Sequence, residues 1–240
     1  MQLDTNPQRT VKVSAPGTVA NLVCGFDVLG LCLNHPADEM QVTITGKSVI
    51  TISHTGEFPL PFDAAQNTAG AALLEIKKLL PAQTGFDIFI KKNINPGSGI
   101  GSSAASAAGA VVAANYLLGN PFTKEEMVQF ALFGEKAASG VKHADNIAPC
   151  ILGGVSLIRS IHPLDIIPLS SPDLFVTIVH PQIEVRTSDA RQILRQQVYL
   201  KDAIKQWGNI AGLVTGFLKN DLDLIGRSLE DVIIEPVRSI

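Results

Sequence analysis

The residues between Asn95 and Ala105 have the types and spacing to hold a phosphate group. Gly97, Gly99 and Gly101 permit backbone angles closed to other residues and let a ligand approach the main chain. Ser102 and Ser103 follow at once. Behind them stand seven alanines between Ala104 and Ala114, whose cheapest conformation is helical. A helix beginning at these serines would offer free N–H groups and the positive end of its dipole to an anion. The spacing excludes two common phosphate loops. A Walker A loop needs a lysine before its Ser/Thr, and a dinucleotide loop reads G-x-G-x-x-G where this one reads G-x-G-x-G. A glycine turn that merely lets a small-residue helix pack on its neighbour is the alternative.

Other groups capable of chemistry are spread along the chain. Asn21 and Asp27 interrupt a strongly apolar run, either as local turn caps or as site groups. Glu135 lies among apolar neighbours near a helix end, where the dipole disfavours a carboxylate and a cation must compensate it. Lys136 and Lys142 are the ordinary candidates. His143 and Asp145 are two residues apart, which also suits a structural turn. Arg191 and Arg238 could be surface charges or partners of a carboxylate.

The elements that must position these groups read as an alternating α and β pattern. Val11–Ala15 alternates like a strand and is broken at Pro16 and Gly17. Glu39–Thr45 and Val49–Ser53, parted by Gly46 and Lys47, read as a hairpin. Asn67 to Leu80 is an amphipathic helix ending at Pro81, with Asn67 placed as its cap. Phe86–Lys91 is the strand before the glycine loop. Thr123 and Glu126 have capping-box spacing at the head of the helix that carries Glu135. Strands are expected at Val155–Arg159, Asp165–Leu169 and Leu174–His180. Helices follow at Thr187, over Val198–Leu218 and over Leu222–Glu230.

Composition narrows the class. At 240 residues the chain holds one large domain or two modest ones, and 46% hydrophobic content with a mean hydropathy of +0.25 supplies a substantial core. A net charge of −3, a pI near 5.9 and the lack of a basic cluster argue against nucleic acid and anionic membranes as partners. Cys24, Cys32 and Cys150 lack metal-ligand spacing and read as buried thiols of a reducing cytoplasm. No signal peptide or membrane-length apolar run is seen.

The stretch Pro96–Ala105 resembles the P-x-x-G-[LI]-G-S-S-A-A motif of the GHMP kinases over ten consecutive positions. That resemblance implies an ATP site formed by Asn95, Pro96, Gly97, Ser98, Gly99, Ile100, Gly101, Ser102, Ser103, Ala104 and Ala105, with Asn67 near the adenine. It also implies Mg²⁺ held by Ser103 and Glu135, a hard cation on few protein oxygens. Ala15–Gly30 is similar to the first motif of the homoserine kinase branch. His143–Pro149 with Gly153 and Gly154, Arg186–Arg191 and Glu235–Arg238 match three further motifs in the same order. By this resemblance Asn21, Asp27, His143, Asp145, Thr187, Arg191 and Arg238 face the substrate L-homoserine, and Asp27 with Ser103 and Glu135 is catalytic.

One departure within the wider family is informative. Mevalonate kinase and galactokinase place a catalytic carboxylate where this chain has Asn146, and an amide cannot take a proton at neutral pH. Arg186 also stands where the branch usually has serine.

The expected fold is α+β with the two-lobe GHMP kinase architecture. Residues 1–155 would form a ribosomal-S5-like ATP-binding lobe, and residues 156–240 a ferredoxin-like lobe. The resemblance predicts that this second lobe is incomplete, since the family pattern usually continues past E-P-x-R. An open sheet edge and exposed apolar surface should then appear after residue 155. The expected activity is transfer of phosphate from ATP to homoserine in threonine synthesis, in the cytoplasm. A homodimer is compatible with it. The rivals are another small-molecule kinase of the same fold and a nucleotide-binding protein without turnover.

Overall fold

The computed structural model describes residues 3–6, 8–179 and 187–239. Among these, six strands form a single sheet, and helices cover it from both faces. β1 (Thr10–Ala20) and β2 (Leu29–Thr45) pair antiparallel, from Thr10↔Thr43 to Ala20↔Gly30. Pro16 and Gly17 do not end β1. The register shifts between Pro16↔Ala37 and Thr18↔Cys32, and the proline, which lacks an N–H, sits where the ladder is skipped.

The expected hairpin is not formed. β3 (Ile50–Thr55) is parted from β2 by β4 (Gly85–Lys91), which runs antiparallel to β2 and parallel to β3. Phe86, Ile88 and Ile90 are buried along one face of β4, so this more apolar strand takes the central place. The connection from β2 to β3 must therefore cross β4, and it does so over Gly85. A Cβ there would stand 2.1 Å from the Lys47 carbonyl oxygen and 2.0 Å from that of Val49, so the crossing requires glycine.

α1 (Thr68–Lys77), α2 (Ser102–Leu117), α3 (Lys124–Ser139) and α4 (Ile147–Leu152) bury one face of the sheet. α1 ends in a turn before Leu80 rather than reaching it. α2 is buried almost all round, and its alanines let the flanking helices approach closely. Thr123 and Glu126 make the expected capping box on α3. The core joins Met40, Val42 and Ile44 of β2 to Phe86, Ile88 and Ile90 of β4 and to Leu73 and Ile76 of α1. Truncating one such leucine or isoleucine to alanine costs about 2–5 kcal/mol.

β5 (Val155–Ile161) pairs with the Leu29–Leu31 end of β2, and β6 (Leu164–Leu169) pairs with β5. Strand pairing thus runs across residue 155. Successive residues of β5 face opposite sides: Ile158 enters the main core, while Leu157 meets a second cluster. There α6 (Leu200–Lys219) and α7 (Leu222–Ser228) bring Leu213, Phe217 and Ile225 onto Leu29 and Val155. Two short helices, α5 (Thr187–Gln192) and α8 (Glu235–Arg238), complete the described elements.

The strand expected at Leu174–His180 is absent from its described part, Leu174–Val179. An apolar alternation makes a strand only where a neighbour supplies the ladder, and among the described residues none does. Phe175 and Val179 are exposed, as are Leu200, Ile204, Trp207 and Leu218 along one side of α6. Among the described residues β6 is an outer strand of the sheet, so open edges and exposed apolar faces occur there after residue 155. The three thiols are free. Cys24 is buried, whereas Cys32 and Cys150 are half-buried rather than enclosed. No helix among the described residues is long and apolar enough to cross a membrane.

Candidate active site

A cavity of about 700 Å³ opens where the glycine loop, the end of β1, α1, α3 and the loop before α4 converge, with α5 and α8 on its far side. Ser102 and Ser103 begin α2, and Gly101 before them supplies no side-chain cap, so the first-turn N–H groups face the cavity mouth without an internal acceptor. Gly97, Gly99 and Gly101 all have positive φ (80°, 78° and 68°). At Gly101 a Cβ would also meet Thr18 Oγ1 at 2.1 Å and Asn146 Oδ1 at 2.9 Å. Those two side chains are bonded to each other, Thr18 Oγ1 donating to Asn146 Oδ1 at 2.7 Å.

The two serines part company. Ser102 donates to the Ile94 carbonyl at 2.9 Å and closes the loop on itself. Ser103 turns the other way and donates to Glu135 Oε2 at 3.0 Å. The pair lines the cavity and presents hard oxygens of the kind a divalent cation prefers. Of the other loop residues, Pro96, Gly97, Gly99 and Gly101 line the cavity. Ile100, Ala104 and Ala105 instead pack into the interior, so only their main chain could meet a ligand. Asn95 and Ser98 are not among the residues lining the cavity, and the Asn95 carbonyl accepts the Ser98 N–H at 3.2 Å.

Asn67 borders the cavity but is committed to structure. Its Oδ1 accepts the Ala69 and Gly70 N–H groups, and its Nδ2 donates to the Pro61 carbonyl. The cap reading fully accounts for its side-chain oxygen.

Asn21 and Asp27 sit in the loop between β1 and β2, where Asn21, Leu22, Val23 and Asp27 all have positive φ. Asn21 Oδ1 accepts the Asp27 N–H at 2.9 Å, so the asparagine shapes the loop. The Asp27 carboxylate faces outward to other elements. Arg191 Nη2 donates to its Oδ1 at 2.5 Å, and His143 Nδ1 lies 3.7 Å from the same oxygen. Burial holds the His143 pKa below its ordinary value, with Asp27 acting the other way, so the ring is neutral at pH 7. Arg191 Nη2 lies 3.4 Å from Nδ1, and Nε2 is buried without a partner. Asp145 is buried and its Oδ1 has no partner. Burial first, then Asp27 and Glu135, push its carboxyl up to about 7.

Arg191 and Arg238 flank Phe26, each with its guanidinium carbon 5.1 Å from the ring centre. Burial, and next the neighbouring Arg191, lower the Arg238 pKa. Arg238 Nε donates to the Ala190 carbonyl at 3.3 Å, linking α8 to α5. Arg191 lines the cavity, while its Nε is buried without a partner. Thr187 opens α5, and its side chain lies outside the described residues, as does Arg186.

Three contributors escaped the sequence reading. Lys92 borders the cavity with its side chain 2% exposed, paired with Asp38, which is fully buried. Its ammonium also donates to the Ser102 carbonyl at 2.7 Å and to Ser106 Oγ at 2.9 Å. Asp38 Oδ1 accepts the Asn93 and Ile94 N–H groups, each at 2.8 Å. Together they fix the strand end, the loop and the helix start that border the cavity. Burial lowers the Lys92 pKa, and Asp38 partly restores it. The signal was strand parity. Lys92 continues the inward series of Phe86, Ile88 and Ile90, and Asp38 that of Met40, Val42 and Ile44. Phe26 is the third.

The pattern of the GHMP kinases N terminal domain matches residues 67–154. The homoserine kinase of Chloroherpeton thalassium is 48% identical over 238 residues, 94% of this chain and 75% of its own length. That of Chlorobium phaeobacteroides is 46% identical, over 96% of this chain and 76% of its own. The chain belongs to the homoserine kinase family of the GHMP kinases. The crystal structure of homoserine kinase from Cytophaga hutchinsonii superposes with a TM-score of 0.87 at 45% identity, covering 96% of this chain and 74% of that one. The motifs Ala15–Gly30, Pro96–Ala105, His143–Pro149 and Glu235–Arg238 all contribute residues to the same cavity. The GHMP kinase fold expected from the sequence is the fold observed.

Proposed function

We propose that the chain transfers the γ-phosphoryl group of ATP to the side-chain hydroxyl of L-homoserine, giving O-phospho-L-homoserine and ADP for threonine synthesis. The observation that carries this reading is the division of one cavity into two unlike ends. One end has the free N–H groups of α2 with Ser103 and Glu135. The other has Asp27 between Arg191 and His143, with Arg238 beside them.

In this reading residues 1–155 bind the nucleotide, and residues 156–240 bring the two arginines. The N–H groups of Ser102, Ser103 and Ala104 hold phosphate oxygens, with Lys92 keeping the helix start in place from behind. Ser103 and Glu135 would hold Mg²⁺, which when bound draws charge off the phosphates. Arg191 and Arg238, which both line the cavity, take the amino acid's carboxylate as planar donors. Asp145 and Asn21, which border the cavity, take the amino group. Asp27 orients the hydroxyl.

No general base is needed at Asn146, whose oxygen is engaged by Thr18. Phosphoryl transfer depends chiefly on positioning and charge stabilisation, so the hydroxyl proton passes to the γ-phosphate or to water. The reading places the protein in the cytoplasm, acting on small molecules rather than on nucleic acid or membrane. The test is a coupled ADP-release assay with a panel of alcohols. Homoserine should give the highest kcat/KM. A preference for another alcohol, or ATP binding without turnover, would overturn the assignment.

A further inference from the structure

Gln206 is 5% exposed on α6, and it makes two hydrogen bonds, one to each of two segments that go on to form walls of the cavity. Its Nε2 donates to the Cys24 carbonyl at 2.7 Å, 182 residues earlier in the chain. Its Oε1 accepts the Val232 N–H at 3.0 Å. A carbonyl on one side and an N–H on the other fix which way the amide faces.

Neither partner belongs to a regular element. Cys24 sits in the β1–β2 loop, after the left-handed residues Asn21, Leu22 and Val23 and before Phe26 and Asp27. Val232 opens the segment in which Asp231 accepts the N–H groups of Ile233, Ile234 and Glu235 and so launches α8 toward Arg238. The tips of these two walls meet again at the cavity, where Arg238 lies against Phe26. Two other side chains of α6 hold the same segment without reaching the loop. Lys205 pairs with Glu230 at 2.5 Å, and Asn209 donates to the Glu230 carbonyl at 2.8 Å.

We infer that Gln206 is a positioning residue for the amino-acid end of the site, setting the spacing between the Asp27 loop and the Arg238 arm. This rests on the assignment of that end to homoserine. Without the amide, the buried Cys24 carbonyl and the Val232 N–H lose their common partner, and each wall is free to settle independently. The nucleotide end is untouched, because α6 contributes nothing to the glycine loop, Ser103 or Glu135 among the described contacts.

The test compares Gln206→Met, which keeps the shape and removes both bonds, with Asn209→Ala, which removes a tie of the arm alone. Gln206→Met should raise the homoserine KM about tenfold, the loss of roughly one buried hydrogen bond, with the ATP KM and kcat within about twofold of wild type. Asn209→Ala should leave all three constants near wild type. In an Arg238→Leu background, Gln206→Met should add little, since the group it positions is gone. Gln206→Glu, which keeps the acceptor for Val232 and loses the donor to Cys24, is read by the same criteria if the methionine variant does not fold.

An unchanged homoserine KM would overturn the inference. So would an equal rise for ATP, a matching effect in Asn209→Ala, or a full additional loss on Arg238→Leu. A wild-type chain that turns over ATP with some other alcohol, or not at all, would overturn the proposed function itself and this inference with it.

Discussion

Arg191 Nη2 donates to Asp27 Oδ1 at 2.5 Å, so the residue expected to hold a substrate carboxylate already holds a carboxylate of the protein. The two roles are compatible, because the guanidinium is a fork. One nitrogen holds the Asp27 carboxylate in place, while the guanidinium borders the cavity beside Phe26. In the proposed function, Arg191 thereby joins substrate binding to the orientation of the reacting hydroxyl.

Asp27→Asn keeps the shape of the side chain but removes its charge and one strong acceptor oxygen. The loop should survive, since the Asn21 bond goes to the Asp27 backbone N–H rather than to its side chain. Turnover should fall by about a hundredfold or more, the range of a lost proton-orienting group. Coupled ADP release at saturating homoserine, with circular dichroism to confirm the fold, checks this. Near-normal turnover would remove Asp27 from the reaction.

The two arginines should separate kinetically. A charged hydrogen bond is worth about 1.5–3 kcal/mol, so either Arg191→Leu or Arg238→Leu should raise the homoserine KM about tenfold to a hundredfold. Arg191→Leu should also lower kcat, because it strips Asp27 of its partner, whereas Arg238→Leu should act on KM alone. Larger effects on ATP than on homoserine would place these residues at the phosphate end.

Glu135→Gln should raise the Mg²⁺ concentration needed for half-maximal rate and lower the maximal rate. The amide retains an acceptor for Ser103 Oγ but carries no charge for a cation. A Mg²⁺ titration of both proteins at fixed ATP reads the shift directly. Identical titrations would rule out Glu135 as a ligand.

Asp145 predicts a pH signature in stability. In the folded chain its carboxyl is pushed up to about 7 by burial and by the charges of Asp27 and Glu135. In the unfolded chain a carboxyl ionises near pH 4, so between about 4 and about 7 the folded state holds an extra proton. This group's contribution to stability is therefore full below about pH 4, declines as pH rises, and is lost above about 7. Asp145→Asn should flatten that decline and be the more stable protein at pH 8, by up to about 4 kcal/mol. Urea unfolding of both proteins at pH 5 and pH 8 tests this, and parallel pH profiles would show that Asp145 is ionised in both states.

Much of the site was legible because its groups stand at element ends, where punctuation residues announce them. The glycine loop lies before α2, Asn67 before α1, and Glu135 near the end of α3. Strand partnership was not legible in the same way. Nothing local to Ile50–Thr55 says that β4, encoded thirty residues later, will slip between it and β2. The extended stretch at Leu174–Val179 shows the reverse, an alternation with no ladder to join. The Asp38–Lys92 pair was hidden because each residue alone looks like an ordinary surface charge. Only strand parity turns both inward, and only the fold brings them together across 54 positions. Gln206 was equally silent, since an amide in an amphipathic helix gives no sign of which distant main-chain groups it will meet.

Gly101, Thr18 and Asn146 form a three-way contact drawn from three separate motifs, and its consequence is historical. A side chain at 101 has room only if the Thr18 hydroxyl goes, and losing that hydroxyl strips Asn146 of its donor. These positions are therefore coupled in descent: among relatives they should change together or remain fixed together, whatever the pressure on any one of them. The coupling is lopsided, however. An aspartate at 146 would accept the same bond from Thr18 in the same space, so exchanging amide for carboxylate needs no adjustment at the other two. In this scaffold, a lineage without a base at that place and one with it stand a single substitution apart.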